Sequence, residues 1–155
     1  MIHSIDPARP HCANCQACGQ ASPPHFVVMR STEQLRVEET SGDRWLDVSD
    51  VHVLATYCSF DCMQTDLVAL MTRQGVTLSL LPMWLQPVST CGCCRSQIDV
   101  REPHMHYALE VLDPRAPDRG VLTGCPVAVT CLKCASTADT NANSQTDVAV
   151  AQPAH

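Results

Sequence analysis

The chain has 155 residues, eleven of them Cys, a net charge of −6, and aromatic side chains at only 4% of positions. That length allows one ordinary domain or two very small ones, and the scarcity of aromatics excludes a large aromatic-rich core; thin cores usually need staples. Its ten Lys and Arg are dispersed along an acidic chain, which argues against nucleic acid as a partner, because polyanions are held chiefly by cations that neutralise phosphates.

Residues 1–11 are expected to be a flexible N-terminus. "MIHSIDPARPHCANC" has no basic leader followed by an apolar run, so it does not read as a secretory signal. Nowhere does the chain approach 18 consecutive apolar residues, so no membrane-spanning helix is expected. A cytoplasmic protein keeps its thiols reduced, and an odd cysteine count fits a disulfide framework poorly, which makes metal the expected staple.

Residues 12–75 read as a first zinc module. "CANCQACG" offers two overlapping pairs, and Gly19, free to adopt backbone geometry that other residues tolerate poorly, favours Cys15 with Cys18 over Cys12. His25-Phe26 then leads into an apolar stretch, Asp43-Arg44 follows, and "VLATYCSFDC" carries a β-rich run into Cys58 and Cys62. Cys58 should end a strand. Cys62 should lie in the first turn of a helix, where the N-terminal dipole favours thiolate. Leu67, Leu70 and Met71 fall at helical spacing, and Gly75 is the expected stop.

Residues 76–90 form an apolar connector, "VTLSLLPMWLQPV" reading as extended and broken by Pro82 and Pro87. It either packs between the halves or presents Met83, Trp84 and Leu85 as a partner surface. Residues 91–135 are the second zinc module. It opens with Cys91 and Cys94, continues through His106-Tyr107 and Asp118-Arg119, and closes on Cys131 and Cys134. The small polar residues of 136–155 cannot repay the entropy of ordering and are expected to be a disordered tail.

The halves therefore share four cysteines in one order, with 39 residues between the second and third in the first half and 36 in the second. Zn²⁺ prefers four ligands in a tetrahedron and thiolates suit it. The expectation is two Zn²⁺ ions, one on Cys15, Cys18, Cys58 and Cys62, the other on Cys91, Cys94, Cys131 and Cys134. Eight thiolates and two ions would lower the net charge to about −10. The fold class is small α+β, metal-stabilised, built of two pseudo-repeated modules with short β-hairpins and one helix after Cys58-Cys62.

A Cys-x2-Cys-Gly knuckle, a hairpin and a Cys pair opening a helix resemble the treble-clef arrangement. "YCSFDCM" is similar to the ending of the TRASH and MYM-type zinc fingers, over about Cys15 to Met63. The second half, with its strand before "TCLKCA", resembles a zinc ribbon. These likenesses imply a metal-stabilised binding module. "CGC" with "CLKC" is also similar to the zinc ligands of the redox-regulated heat-shock chaperones, in which oxidation releases zinc and exposes a binding surface.

Three thiols are spare: Cys12, Cys93, and Cys125, the last expected to be a small buried hydrophobe. His11, His25, His104 and His106 are alternative ligands, less favoured where four cysteines already serve each site. Closed all-cysteine sites are poor Lewis acids, and no phosphate loop, nucleophile elbow or His-Glu-x2-His helix is present, so an enzyme is not expected. The favoured function is a non-enzymatic cytoplasmic zinc protein acting as a protein-interaction or regulatory module, its acidic surface suited to a basic partner. One alternative is a nucleic-acid-associated transcriptional regulator, which requires Arg30, Arg36, Arg44, Arg95, Arg101, Arg115 and Arg119 to converge on one face. The other is a redox or metal sensor using Cys12 or Cys93.

Overall fold

The computed structural model describes residues 13–78, 87–113, 115 and 120–136. The elements follow in chain order. β1 (Ala13–Asn14) and β2 (Ala21–Ser22) flank a cysteine turn, and β3 (Phe26–Val37) and β4 (Arg44–Tyr57) form a hairpin that leads into α1 (Phe60–Arg73). β5 (Val88–Thr90) and β6 (Gln97–Asp99) flank a second cysteine turn, followed by the hairpin of β7 (His104–Leu112) and β8 (Val121–Cys131). A short helical segment covers 132–136. The protein is thus a small α+β fold, but its strands reach 12 and 14 residues where short hairpins were expected.

The two hairpins join into one antiparallel sheet of order β4-β3-β7-β8. The seam is the β3–β7 ladder, in register from Phe26 opposite Val111 to Glu33 opposite His104. Alternation along β3 explains why this sheet can be covered on both sides. Val28 belongs to a core with Tyr57, Tyr107 and Ala128, while Val27 and Met29 pack with Leu112 on the opposite face.

α1 forms where the sequence places its signals. Ser59 caps it, its hydroxyl accepting from Cys62 N–H at 3.2 Å, and Asp61 lies in the first turn. At the other end Gly75 takes φ of 69°, its N–H donating to Thr72 O and that of Val76 to Met71 O, so the last carbonyls are satisfied. The inward face carries Met63, Leu70 and Met71, all buried. Met71 is fully enclosed, which is worth roughly 1.5–3 kcal/mol for a side chain of that size. Tyr57, also fully buried, donates from its hydroxyl to Asp66 Oδ2 at 2.8 Å and ties the helix to the end of β4.

Residues just after α1 bond to the second cysteine turn. Thr77 N–H donates to Gly92 O at 2.9 Å, and Gly92 N–H donates to Val129 O at 2.8 Å. Residues 1–12, 79–86 and 137–155 lie outside the described residues. With them lie Cys12, the surface assigned to Met83, Trp84 and Leu85, and the greater part of both expected termini.

Candidate metal centres

Each centre begins as a tight turn. In the first, Cys15 N–H donates to Gln20 O at 2.9 Å and Gly19 N–H to Cys15 O at 2.8 Å, folding the backbone back within five residues. Gly19 sits at φ of 75°, as its lack of a Cβ allows. In the second, Cys91 N–H donates to Ser96 O at 2.8 Å and Arg95 N–H to Cys91 O at 3.0 Å. Arg95 holds φ of 66° where the first turn uses glycine, a strain of about 1 kcal/mol for a residue with a Cβ. One further bond docks each turn on a strand end: Gln16 N–H to Thr56 O at 2.9 Å, and Gly92 N–H to Val129 O at 2.8 Å. Those strand ends run straight into Cys58 and Cys131.

The result is two groups of four sulfurs, Cys15, Cys18, Cys58 and Cys62 in one, Cys91, Cys94, Cys131 and Cys134 in the other. All four sulfurs of each group lie within 4.8 Å of one another. The order of burial is the same in both: the first cysteine is buried, the second exposed, the last two half-buried. Cys18 and Cys58 are 3.7 Å apart, Cys58 and Cys62 3.8 Å, and Cys131 is 3.9 Å from both Cys91 and Cys94. A tetrahedron with metal–sulfur bonds of about 2.3 Å has edges of about 3.8 Å. These four separations match that figure, and no pair within a group exceeds 4.8 Å. Both groups are suited to binding a metal ion.

The thiols of each group differ in how readily they ionise. Burial pushes Cys15 up, but the backbone N–H groups of Cys18, Cys58 and Ala17 outweigh it and bring the thiol down to about 6. Cys58, beside Cys15 and Cys18, is pushed up to about 12. In the second group the Ser96 hydroxyl, 3.0 Å from the sulfur, and the Ser96 N–H lower Cys94 to about 6. Burial and the neighbouring Cys131 and Cys93 thiols raise Cys134. Within a crowded cluster one thiolate forms easily and the next is suppressed by its charge; a divalent cation removes that penalty and lets all four ionise.

No family model, curated protein or solved structure matches this chain.

The remaining candidates are distributed less simply. Among the described residues no histidine joins either group of sulfurs. Cys93 is exposed at the flank of the second group, against Cys134. Cys125 is exposed, not the buried hydrophobe expected, because residues 121–125 form the uncovered first half of an edge strand. Of the seven arginines that a nucleic-acid face would require, Arg36, Arg44 and Arg101 line one groove, and Arg119 lies outside the described residues.

Sequence reading missed a buried polar cluster on the β3–β7 seam. Glu33, only 9% exposed, accepts from Ser31 Oγ at 3.1 Å and lies 2.9 Å from His106 Nδ1. Burial raises the Glu33 carboxyl, but the hydrogen bond and charge of His106, with the Ser31 hydroxyl, outweigh it and hold it below its usual range. His104, also buried, faces Glu33 across the ladder and has its Nδ1 3.0 Å from Glu102 O. The signal was available: Glu33 shares its parity along the strand with Val27, Met29 and Leu35, so a carboxylate there had to point to the covered face.

Proposed function

We propose that this is a non-enzymatic, zinc-stabilised binding module, one structural unit used twice, working in the reducing cytoplasm as a protein-interaction or regulatory element. The observation that carries the proposal is the pair of four-sulfur groups. With four thiolates available to each ion, a bound Zn²⁺ would keep no open position for substrate or activated water, and its contribution would be to the fold. Matching hydrogen bonds in the two turns, the shared order of burial, and the shared succession of turn, hairpin, cysteine pair and helical segment support descent from one treble-clef-like unit. Structural zinc of this kind supplies folding free energy outright, which suits a chain with so few large aromatic core residues.

The test is a metal titration followed by circular dichroism and a pull-down from cell extract under reducing conditions. Two Zn²⁺ per chain, loss of fold on chelation, and specific protein capture that disappears with the fold support the proposal. A chain that keeps its fold without metal, or that turns over substrate once loaded, refutes it.

One observation favours a second reading, a redox sensor. Cys93 is an exposed thiol against Cys134, where the first turn has Ala17. That reading requires peroxide to release zinc from the second site well before the first, with Cys93→Ala abolishing the difference. Equal release from both sites rejects it.

A further inference from the structure

The two centres differ most at their fourth ligand. In the second centre three sulfurs are fixed from outside. Cys91 is fully buried and accepts from Cys131 N–H at 3.4 Å, Cys94 has the Ser96 hydroxyl 3.0 Å from its sulfur, and Cys131 ends β8 at 3.9 Å from both. Cys134 is held less firmly. Its counterpart Cys62 stands in the first turn of a 14-residue helix that buries Met63, Leu70 and Met71, with the Ser59 cap bonded to its N–H and beside its sulfur. Cys134 stands on the short segment 132–136, in which Ala135 is the one buried residue. The groups that bear on its sulfur are thiols, and one of these, Cys93, is not a member of the group of four.

The turn itself brings Cys93 there. Residues 91–96 repeat the hydrogen bonds of 15–20, Cys91 N–H to Ser96 O and Arg95 N–H to Cys91 O, so position 93 corresponds to Ala17. The first centre has a methyl group at this place. The second has a thiol that is open to solvent on one side and reaches the Cys134 sulfur on the other. A tetrahedral ion takes four thiolates and not five, so two thiols that reach one position must alternate there.

We infer that Cys93 is a reserve ligand of the second centre, sharing with Cys134 the fourth position on an ion held by Cys91, Cys94 and Cys131. In the exchange a metal–sulfur bond forms at Cys93 and one breaks at Cys134, and the proton that leaves the Cys93 thiol ends on the Cys134 sulfur. The charge of the centre is unchanged and no oxidant takes part. The inference rests on the reading of the second group as a zinc site, and it makes that centre one that survives the loss of either thiol. The first centre has no such reserve among the described residues.

The test uses the full-length protein loaded with Co²⁺ in place of Zn²⁺ under anaerobic conditions, as parent, Cys93→Ala, Cys134→Ala and the double variant. Sulfur-to-cobalt charge transfer counts the thiolates and native mass spectrometry counts the ions. Both single variants should keep two ions and the full intensity of the parent. The double variant should lose the second ion, or one thiolate's share of the intensity. A loss already present in Cys134→Ala, or no loss in the double variant, overturns the inference. Limited alkylation of the unmodified zinc-loaded protein provides a readout that needs no variant to fold, with exposed Cys125 as the reference for reaction. Top-down mass spectrometry should find the label on Cys93 in some chains and on Cys134 in others, with both ions retained. Label confined to Cys93, with Cys134 as unreactive as Cys131, overturns the inference. Either overturning result in a parent that holds two ions leaves the binding-module reading standing. A parent that loads fewer than two ions strikes that reading itself.

Discussion

Replacing glycine by alanine usually stabilises a protein slightly, because the unfolded chain loses freedom. Gly92 should behave in the opposite way. A Cβ on this residue would stand 3.1 Å from the Thr77 carbonyl oxygen, 3.2 Å from Val76 Cγ1 and 3.5 Å from the Val129 carbonyl oxygen. Two of these neighbours are backbone, and both are fixed by the hydrogen bonds that clamp residue 92 between the exit of α1 and the end of β8. They can yield only by loosening those bonds. Overpacking of this kind costs about 1–3 kcal/mol, and the unfolded-state gain returns about 0.4–1 kcal/mol, so Gly92→Ala should destabilise by about 1–2 kcal/mol. In a chain of this size that lowers the unfolding temperature by roughly 2–8 °C. Gly124 provides the control: nothing lies within 4 Å of its Cβ position, and its φ is outside the positive region, so Gly124→Ala should be neutral or slightly stabilising. Thermal unfolding of the two zinc-loaded variants beside the parent decides the matter. If both shift in the same direction, or if Gly92→Ala unfolds no earlier than the parent, the docking of the second cysteine turn is wrong.

Two further outcomes follow from individual contacts. Because Glu33 is held below the usual carboxylate range, its contribution is present above about pH 4.5 and fades as pH falls through its lowered value. Glu33→Gln should therefore cost about 1–3 kcal/mol near neutrality, and the gap from the parent should narrow in acid; denaturant unfolding at neutral and acid pH measures it. Ser59→Ala removes the helix cap that accepts from Cys62 N–H and should cost about 0.5–2 kcal/mol, with a faster loss of metal from the first centre than from the second under chelator.

The parts of the structure legible in the sequence were those set by local chemistry. Cysteine spacing identified both sulfur groups, and the Leu67, Leu70 and Met71 spacing and Gly75 located α1, while its Ser59 cap emerged only from the structure. The seam between β3 and β7 was not legible, because a pairing across some eighty residues leaves no mark on either strand's own periodicity. In the sequence His25-Phe26 of the first half corresponds to His106-Tyr107 of the second. In the structure Phe26 faces Tyr57, just before Cys58, while Met105 faces Thr130, just before Cys131, so by register His104-Met105 occupies the place on β7 that His25-Phe26 occupies at the start of β3. The offset is two residues because the ladder counts from the cysteine, whereas the His-aromatic likeness does not. Arg95 hid the likeness of the turns in a similar way, taking the glycine-like φ without the glycine.

The proposed role of these eight cysteines is to hold the fold through two four-sulfur metal sites. Native mass spectrometry of the purified protein tests it most directly, with Cys15→Ser, Cys91→Ser, Cys93→Ser and Cys125→Ser measured alongside. Two Zn²⁺ per chain are expected in the parent and in the Cys93 and Cys125 variants, and no more than one in each of the Cys15 and Cys91 variants. One ion or none in the parent, or two retained without Cys15 or Cys91, would contradict it.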